Sequence, residues 1–349
     1  MNVDVAIVGA GPAGLNAAAI LKDHLSVVVL EATDRIGGRL LSIKKDSAHI
    51  DLGATWFWGN EKLINEIVYE HDLKSFNQYQ EGNSLFQTSQ FVEELPTNQM
   101  EQTSIRLLDG MQSIARILYN QLDSGTVYLN EPVISVNTHG NILEVNTSKS
   151  VWNAKHVIVA VAPAAAVHTI DFHGIEPNIV ELAEKTPVWM GKVSKVICIY
   201  KTPFWRDANL SGTAFSYLGP MREIHDMSIP ESGLSALFGF VQNSPNGKAL
   251  NKKEILVQLI GLFGAHAGNP LEIIIQDWAD EKYISPPQEF DQSGYQLYGH
   301  PFYSQPAMNG KLYWASTETA SDFPGHIEGA LVASKRAAER ILRIKESVI

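Results

Sequence analysis

Between residues 1 and 30 the apolar positions fall into two short blocks around a run with helical spacing. Val3, Val5, Ile7 and Val8 form a block too short for a core-covering helix and apolar enough for a strand buried on both faces of a parallel sheet. Ser26 to Leu30 repeats the pattern, and Pro12 to Lys22 between them predicts a helix. Further on, Lys62 to Glu70, Leu107 to Gln121, Lys253 to Phe263 and Leu331 to Leu342 read as helices. Thr126 to Leu129, Val133 to Thr138, Ile142 to Thr147 and Val157 to Pro163 read as strands, the last as a buried parallel one ending at its proline. Val193 to Tyr200, Leu234 to Val241 and Leu271 to Trp278 add a second group of strands, with polar loops at 243–248 and 285–288.

The junction between the first strand and helix carries chemistry. Gly9, Gly11 and Gly14 stand in a G-x-G-x-x-G turn with Pro12 and Ala13 inside it. Gly9 permits the tight turn, Gly11 lets the backbone approach a pyrophosphate, and Gly14 lets helix and strand pack closely. The helix then aims its N-terminal N–H groups at the phosphates, and Pro12 gives up an N–H that a first turn does not need. Glu31, followed by Ala32, ends the second strand about twenty residues on, where a carboxylate accepts ribose hydroxyls and disfavours a 2′-phosphate. This predicts a dinucleotide site. Arg35 to Arg39 then reads R-I-G-G-R, in which Gly37 and Gly38 permit a close backbone approach and Arg39 is a fixed cation beside phosphate charge.

That loop, followed by Asp51-Leu-Gly-Ala-Thr-Trp56, resembles the FAD-containing amine oxidase family, which includes monoamine, polyamine and L-amino-acid oxidases. Two distant segments share the resemblance. One is Leu312 to Ala320, with a G-T-E-T-like turn at Glu318, followed by Phe323 to Ala330. The other is Gly191 to Trp205, ending in a K-x-P-F-W-like phrase. The resemblance implies an α/β fold: a Rossmann-like FAD/NAD(P)-binding domain of the glutathione-reductase type, built from 1–75, 105–165 and 308–349. It is interleaved with a smaller α+β substrate domain from 76–104 and 166–307.

It also implies roles. Arg39 would contact the pyrophosphate, Glu318 the ribityl or pyrophosphate part of FAD, the backbone of Val133 the adenine, and the backbone of Ile327 the pyrimidine end of the flavin. A helix N-terminus there would favour the negative charge of the reduced ring. Gly53, Ala54, Thr55 and Trp56 would lie along the cofactor, and Trp56, Phe57 and Trp58 near the substrate. Lys195 would hold a water at flavin N5. The residues agree, because a lysine inside an apolar run is costly unless paired or used.

The chain also departs from the family. His326 stands where one of two aromatic residues would flank the amine, and the count to the other reaches Gln288 beside Glu289 and Phe290. An aromatic cage of His326 and Phe290 is one option for the site, and His326 could equally act as a base. No cysteine stands there to bond the flavin, so FAD is expected to be non-covalent. Between Pro96 and Arg106 the family's long helical insert, which roofs the substrate cavity, is missing.

The expected reaction is oxidation of an amine or amino acid to an imine by hydride transfer to flavin N5, with O2 as acceptor and H2O2 as product. Two alternatives remain: a renalase-like or other FAD oxidoreductase acting on a dihydronicotinamide or C–C bond, and a low-turnover flavoprotein serving as a subunit or regulator.

Composition narrows the rest. A formal net charge of −11 without a dense basic cluster argues against a nucleic-acid partner. With 45% hydrophobic residues, 349 residues suffice for two cores. The lone cysteine, Cys198, lies in an apolar run and fits a buried position and a reducing, cytoplasmic compartment. No run of eighteen apolar residues occurs, so no membrane span is expected, and the chain stops at Ile349 without the membrane tail of animal monoamine oxidases. The eleven histidines show no metal-ligand spacing, so no metal is expected. His168 and His173 flank Asp171 in a phrase read as an exposed loop, Trp205 and Trp189 are expected in the core, and homo-oligomerisation stays open.

Overall fold

The computed structural model describes residues 1–96, 102–242, 250–287 and 292–348. The loop expected at 243–248 and the candidates Gln288, Glu289 and Phe290 lie outside the described residues.

Two sheets organise the chain. In the first, β1 (Asn2–Val8) and β2 (Val27–Leu30) pair in parallel. β1 also pairs in parallel with Val151–Val159, which in turn pairs in parallel with Leu312–Trp314 from the far end of the chain. Val151–Val159 then turns antiparallel to Ile142–Thr147, and that strand to Val133–His139. Helix α1 (Pro12–Leu21), the helix Gln112–Asn120 and the C-terminal helix Ile327–Val348 cover one face, around Ile7, Leu15, Ile114 and Leu331. The other face packs Val8, Val145, Trp152 and Trp314. Strands apolar on both sides, as β1 and β2 are, can sit only between two such layers.

The second sheet runs in the order Glu272–Asp277, Val193–Tyr200, Ser235–Gln242, Met221–Asp226, Leu210–Ser216, Asn83–Gln87, Val92–Leu95. Its strands are antiparallel except for Leu210–Ser216 on Asn83–Gln87. Alternation splits its residues between two cores. Val196, Cys198 and Tyr200 face one layer with Trp205 and helix Lys252–Phe263, while Ile197, Ile199 and Phe238 face the other. Cys198 and Trp205 are buried, as the sequence predicts.

Some local expectations are corrected. Val157 to Pro163 is not one strand: the strand ends at Val159, and Pro163 opens the helix Pro163–Thr169, where its missing N–H does no harm. The His168 to His173 phrase is not a loop. His168 lies in that helix, and Asp171–His173 is a strand pairing with Val133–His139, so this edge of the first sheet extends past residue 165. No helix among the described residues is long and apolar enough to cross a membrane.

Candidate functional site

A single cleft of about 560 Å³ runs from the β1–α1 turn to the inner face of the second sheet. Gly9, Gly11, Pro12, Ala13, Glu31, Ala32, Arg35 and Gly38 line one end. Gly9, at φ +97°, makes the turn out of β1. A Cβ on Gly14 would lie 1.9 Å from the Gly9 carbonyl oxygen, so helix and strand can meet only at a glycine there. A Cβ on Gly11 would meet nothing within 4 Å. Gly11 has extended backbone and leaves α1 without a side-chain cap, so the helix start opens onto the cleft as an anion cradle. The Glu31 carboxylate is fixed by the Ala10 N–H (2.8 Å), the Thr33 N–H (2.9 Å) and the Thr33 hydroxyl (2.7 Å). Gly37 sits behind the surface at φ +108°, donating to the Ala10 carbonyl at 2.8 Å, while Arg35 closes its own loop onto the Gly38 carbonyl at 2.8 Å. Val133, at the start of its strand, borders the same end. The donor set fits a dinucleotide: backbone N–H groups for phosphate and a carboxylate for ribose.

Arg39 stands midway. Its guanidinium forks onto Glu318 at 2.6 and 3.1 Å and donates to the Trp189 carbonyl at 3.0 Å. Glu318 is fully buried and also accepts from the Trp189 N–H at 3.1 Å. Burial would raise its carboxyl pKa, but the Arg39 charge and hydrogen bonds outweigh burial and hold it below the usual range. The resemblance assigns Glu318 to FAD directly, whereas here it lies behind Arg39 and reaches the cleft through it. Trp189, expected in the core, is 38% exposed and lines the cleft. Its backbone is committed to the Arg39–Glu318 pair, and Gly325 leaves room for the indole, 3.0 Å from where a Cβ would be.

The other end is built from side chains. Gly53, Ala54, Thr55, Trp56, Trp58, Lys195, His326 and Ile327 all line it. Lys195 is 1% exposed. Its Nζ donates to the Gly53 carbonyl at 3.0 Å and to the Thr55 hydroxyl, and lies 4.5 Å from the Phe238 ring centre. Burial pushes this ammonium down to about 7, with the Asp51 charge opposing and Arg106 adding. Asp51, itself buried, is pushed up by burial against hydrogen bonds from the Ser42 hydroxyl and the Met111 N–H. Trp56 leans edge-on to His225 and tilts on Phe238, whereas Phe57 is core. Ile327 is the first residue of the C-terminal helix.

His326 sits in the turn before that helix, its carbonyl fixed by the Thr317 hydroxyl at 2.7 Å. Its ring lies 4.8 Å from Trp58, centre to centre and inclined 33°, and its Nδ1 is 2.7 Å from the Glu61 carboxylate. Sequence reading missed Glu61. The residue reads as an ordinary charge opening an amphipathic helix, and its contact with His326 spans 265 positions. It also missed Glu223, which lines the cleft and pairs with the buried His225 at 2.6 Å. Among the described residues no group of three or more histidine, cysteine or acidic side chains could hold a metal.

Comparison with known proteins fits this geometry. The profile of the family "Flavin containing amine oxidoreductase" matches residues 75–342, and that of an NAD(P)-binding Rossmann-like domain matches residues 7–70. A Dictyostelium discoideum protein named "Probable flavin-containing monoamine oxidase A" is 26% identical, with 97% of each chain covered. The alignment's 455 positions outnumber this chain's 349 residues by more than a hundred, so the relative holds residues without counterparts here. Putrescine oxidase of Kocuria rosea is 24% identical over 97% of this chain and 95% of its own. Among solved structures, cyclohexylamine oxidase from Brevibacterium oxydans IH-35A superposes with a TM-score of 0.87 at 20% identity, covering 99% of this chain and 100% of that one. A putrescine oxidase bound to putrescine gives 0.86 at 23% identity, covering 98% and 99%. The chain belongs to the flavin-containing amine oxidoreductase family.

Proposed function

We propose that this enzyme oxidises the C–N bond of a small amine or amino acid to an imine, with FAD held non-covalently and O2 as the final acceptor. The observation that carries the reading is the continuity of the cleft: the anion cradle at Gly11 and the buried Lys195 open into the same space. When bound in this cleft, FAD would supply the acceptor for a hydride equivalent from the carbon beside nitrogen, with O2 as the final oxidant and H2O2 as the product.

The chain's own residues bind, orient and tune. The α1 N-terminus, Arg35 and Arg39 take the pyrophosphate, and Glu31 takes the adenine ribose. Val133 meets the adenine, and the Ile327 N–H meets the pyrimidine end of the ring. Glu318 orients Arg39. Lys195, anchored by Gly53 and Thr55, holds a water against the ring, and a cation that titrates near neutrality can release or take its proton there. Trp56 and Trp58 flank the substrate. The interleaved division at 75/76, 104/105 and 307/308 is our assignment of the two domains, with the boundary expected at 165/166 moved beyond the strand Asp171–His173. The single cysteine supports a reducing compartment, which we take to be the cytoplasm.

Anaerobic bleaching of the flavin band tests the reading, with primary amines, polyamines, amino acids and dihydronicotinamides as the panel. Bleaching by an amine or amino acid is expected. Bleaching by a dihydronicotinamide alone moves the enzyme to the alternative oxidoreductase, and a flavin that nothing reduces points to a regulatory flavoprotein.

A further inference from the structure

We infer that Glu61 and His326 form a proton-accepting dyad that takes a proton from the substrate ammonium before oxidation. The inference rests on the amine-oxidase reading. An ammonium nitrogen has no lone pair to assist loss of hydride from the adjacent carbon, so a protonated amine must first give up one proton inside the cleft.

Three observations assign that task to this pair. The first is the hydrogen bond. An ionised carboxylate only accepts, so the 2.7 Å contact between Glu61 Oε1 and His326 Nδ1 puts the ring proton on Nδ1. In the neutral imidazole Nε2 then carries the lone pair, and among the described residues it has no hydrogen-bond partner. The second is placement. Glu61 is 1% exposed while the His326 side chain keeps a third of its surface open and lines the cleft. Trp58 fixes the imidazole from its face, and the Trp58 N–H donates to Glu61 Oε2 at 2.8 Å, so one indole residue orients both partners.

The third observation excludes the ordinary task of an acidic side chain at a helix start. Glu61 is the N-cap residue of α2 (Lys62–Glu70), yet its side chain caps nothing. The first free N–H groups of that helix, Leu63 and Ile64, go instead to Glu328 of the C-terminal helix, at 3.0 and 2.9 Å. Capping by Glu328 leaves the Glu61 carboxylate for His326.

The transfer balances simply. One proton leaves the substrate nitrogen for Nε2, the N–H bond breaks, the imidazole becomes imidazolium, and the Glu61 carboxylate neutralises it. Glu61 acts through His326 and is a positioning residue.

Nitrogen-15 NMR of histidine-labelled holoenzyme tests this without turnover. The resonance that disappears in His326→Phe should show the Nδ1–H tautomer in the native protein. Glu61→Gln, whose amide can donate to Nδ1, should convert it to Nε2–H. An Nε2–H tautomer in the native protein, or no change in Glu61→Gln, overturns the inference.

Stopped-flow flavin reduction by benzylamine and by 1,4-diaminobutane adds a rate. At saturating amine His326→Phe and His326→Ala should be about a hundredfold slower. Added imidazole should recover part of the loss in His326→Ala, and Glu61→Asp should retain more of the rate than Glu61→Gln. Equal rates in native protein and His326→Phe also overturn the dyad. If no amine reduces the native flavin, the amine-oxidase reading falls, and the NMR result still judges the hydrogen bond separately.

Discussion

The two ends of the cleft are made differently. The nucleotide end is mainly backbone: a glycine turn, an uncapped helix start and one carboxylate pinned by neighbouring N–H groups. The flavin and substrate end is mainly side chains, brought from the segment after Asp51, the strand Val193–Tyr200 and the turn before the C-terminal helix, with Glu61 behind His326. A backbone-built site can change by a single Cβ and fail. A side-chain-built site can exchange one group for another and keep its shape.

The sharpest way to break this contrast is a pair of glycine substitutions in one turn. Gly14→Val should prevent folding, because its Cβ would sit 1.9 Å from a backbone oxygen that cannot move aside. Gly11→Val should fold, since its Cβ meets nothing within 4 Å and its φ of −74° suits any residue. That side chain would occupy the pyrophosphate's place. The expected result is soluble, colourless protein with a circular-dichroism spectrum like that of flavin-free native protein. A Gly11→Val protein that purifies yellow would mean that the nucleotide end does not depend on backbone approach.

Next in size is the joint between the two ends. Arg39→Ala removes one partner of the ion pair and strands the fully buried Glu318 carboxylate, a change that typically destabilises by about 3–5 kcal/mol at neutral pH. Denaturant unfolding of the flavin-free variant should show this loss. It should show less of it at low pH, where the stranded Glu318 carboxyl can take up a proton. Equal losses at every pH would mean that Glu318 gains little from Arg39.

How much of this was legible in the sequence follows the same division. Gly9, Gly11, Gly14 and Glu31 announce themselves because a phosphate-binding turn is local: its parts lie within one strand–helix–strand unit and their spacing is the geometry. Val193–Tyr200 was legible as a strand, and Lys195 as its odd member, because one charge in an apolar run needs a reason. The Glu61–His326 contact was not legible. Nothing in the residues around Glu61 says that Glu328 will cap its helix from the other end of the chain. Trp189 was misjudged for a related reason: its backbone, not its indole, is what the fold uses, and backbone hydrogen bonds leave little mark on residue type.

The smallest effect belongs to Lys195, and it tests whether a working side chain is kept against stability. Its ordinary pKa of 10.5 applies to the unfolded chain, while burial brings the folded value to about 7. Below pH 7 both states hold the proton, and the charge inside the fold costs its full amount, on the order of 5 kcal/mol. Between pH 7 and 10.5 the folded lysine is neutral while the unfolded one is still charged. Stability then rises with pH, and above 10.5 the penalty is gone. Lys195→Met removes the penalty but leaves the Gly53 carbonyl and the Thr55 hydroxyl without their donor, a loss of about 1–3 kcal/mol. The flavin-free variant should therefore melt a few degrees above the native protein at pH 6. The gap should close, or reverse, as the pH is raised towards 10. A gap that does not change with pH would mean that Lys195 is charged at neutral pH in the fold, held by Asp51. Reoxidation of the reduced flavin in the same variant should be slowed, which would make Lys195 a residue whose place in the cleft lowers stability and serves the chemistry.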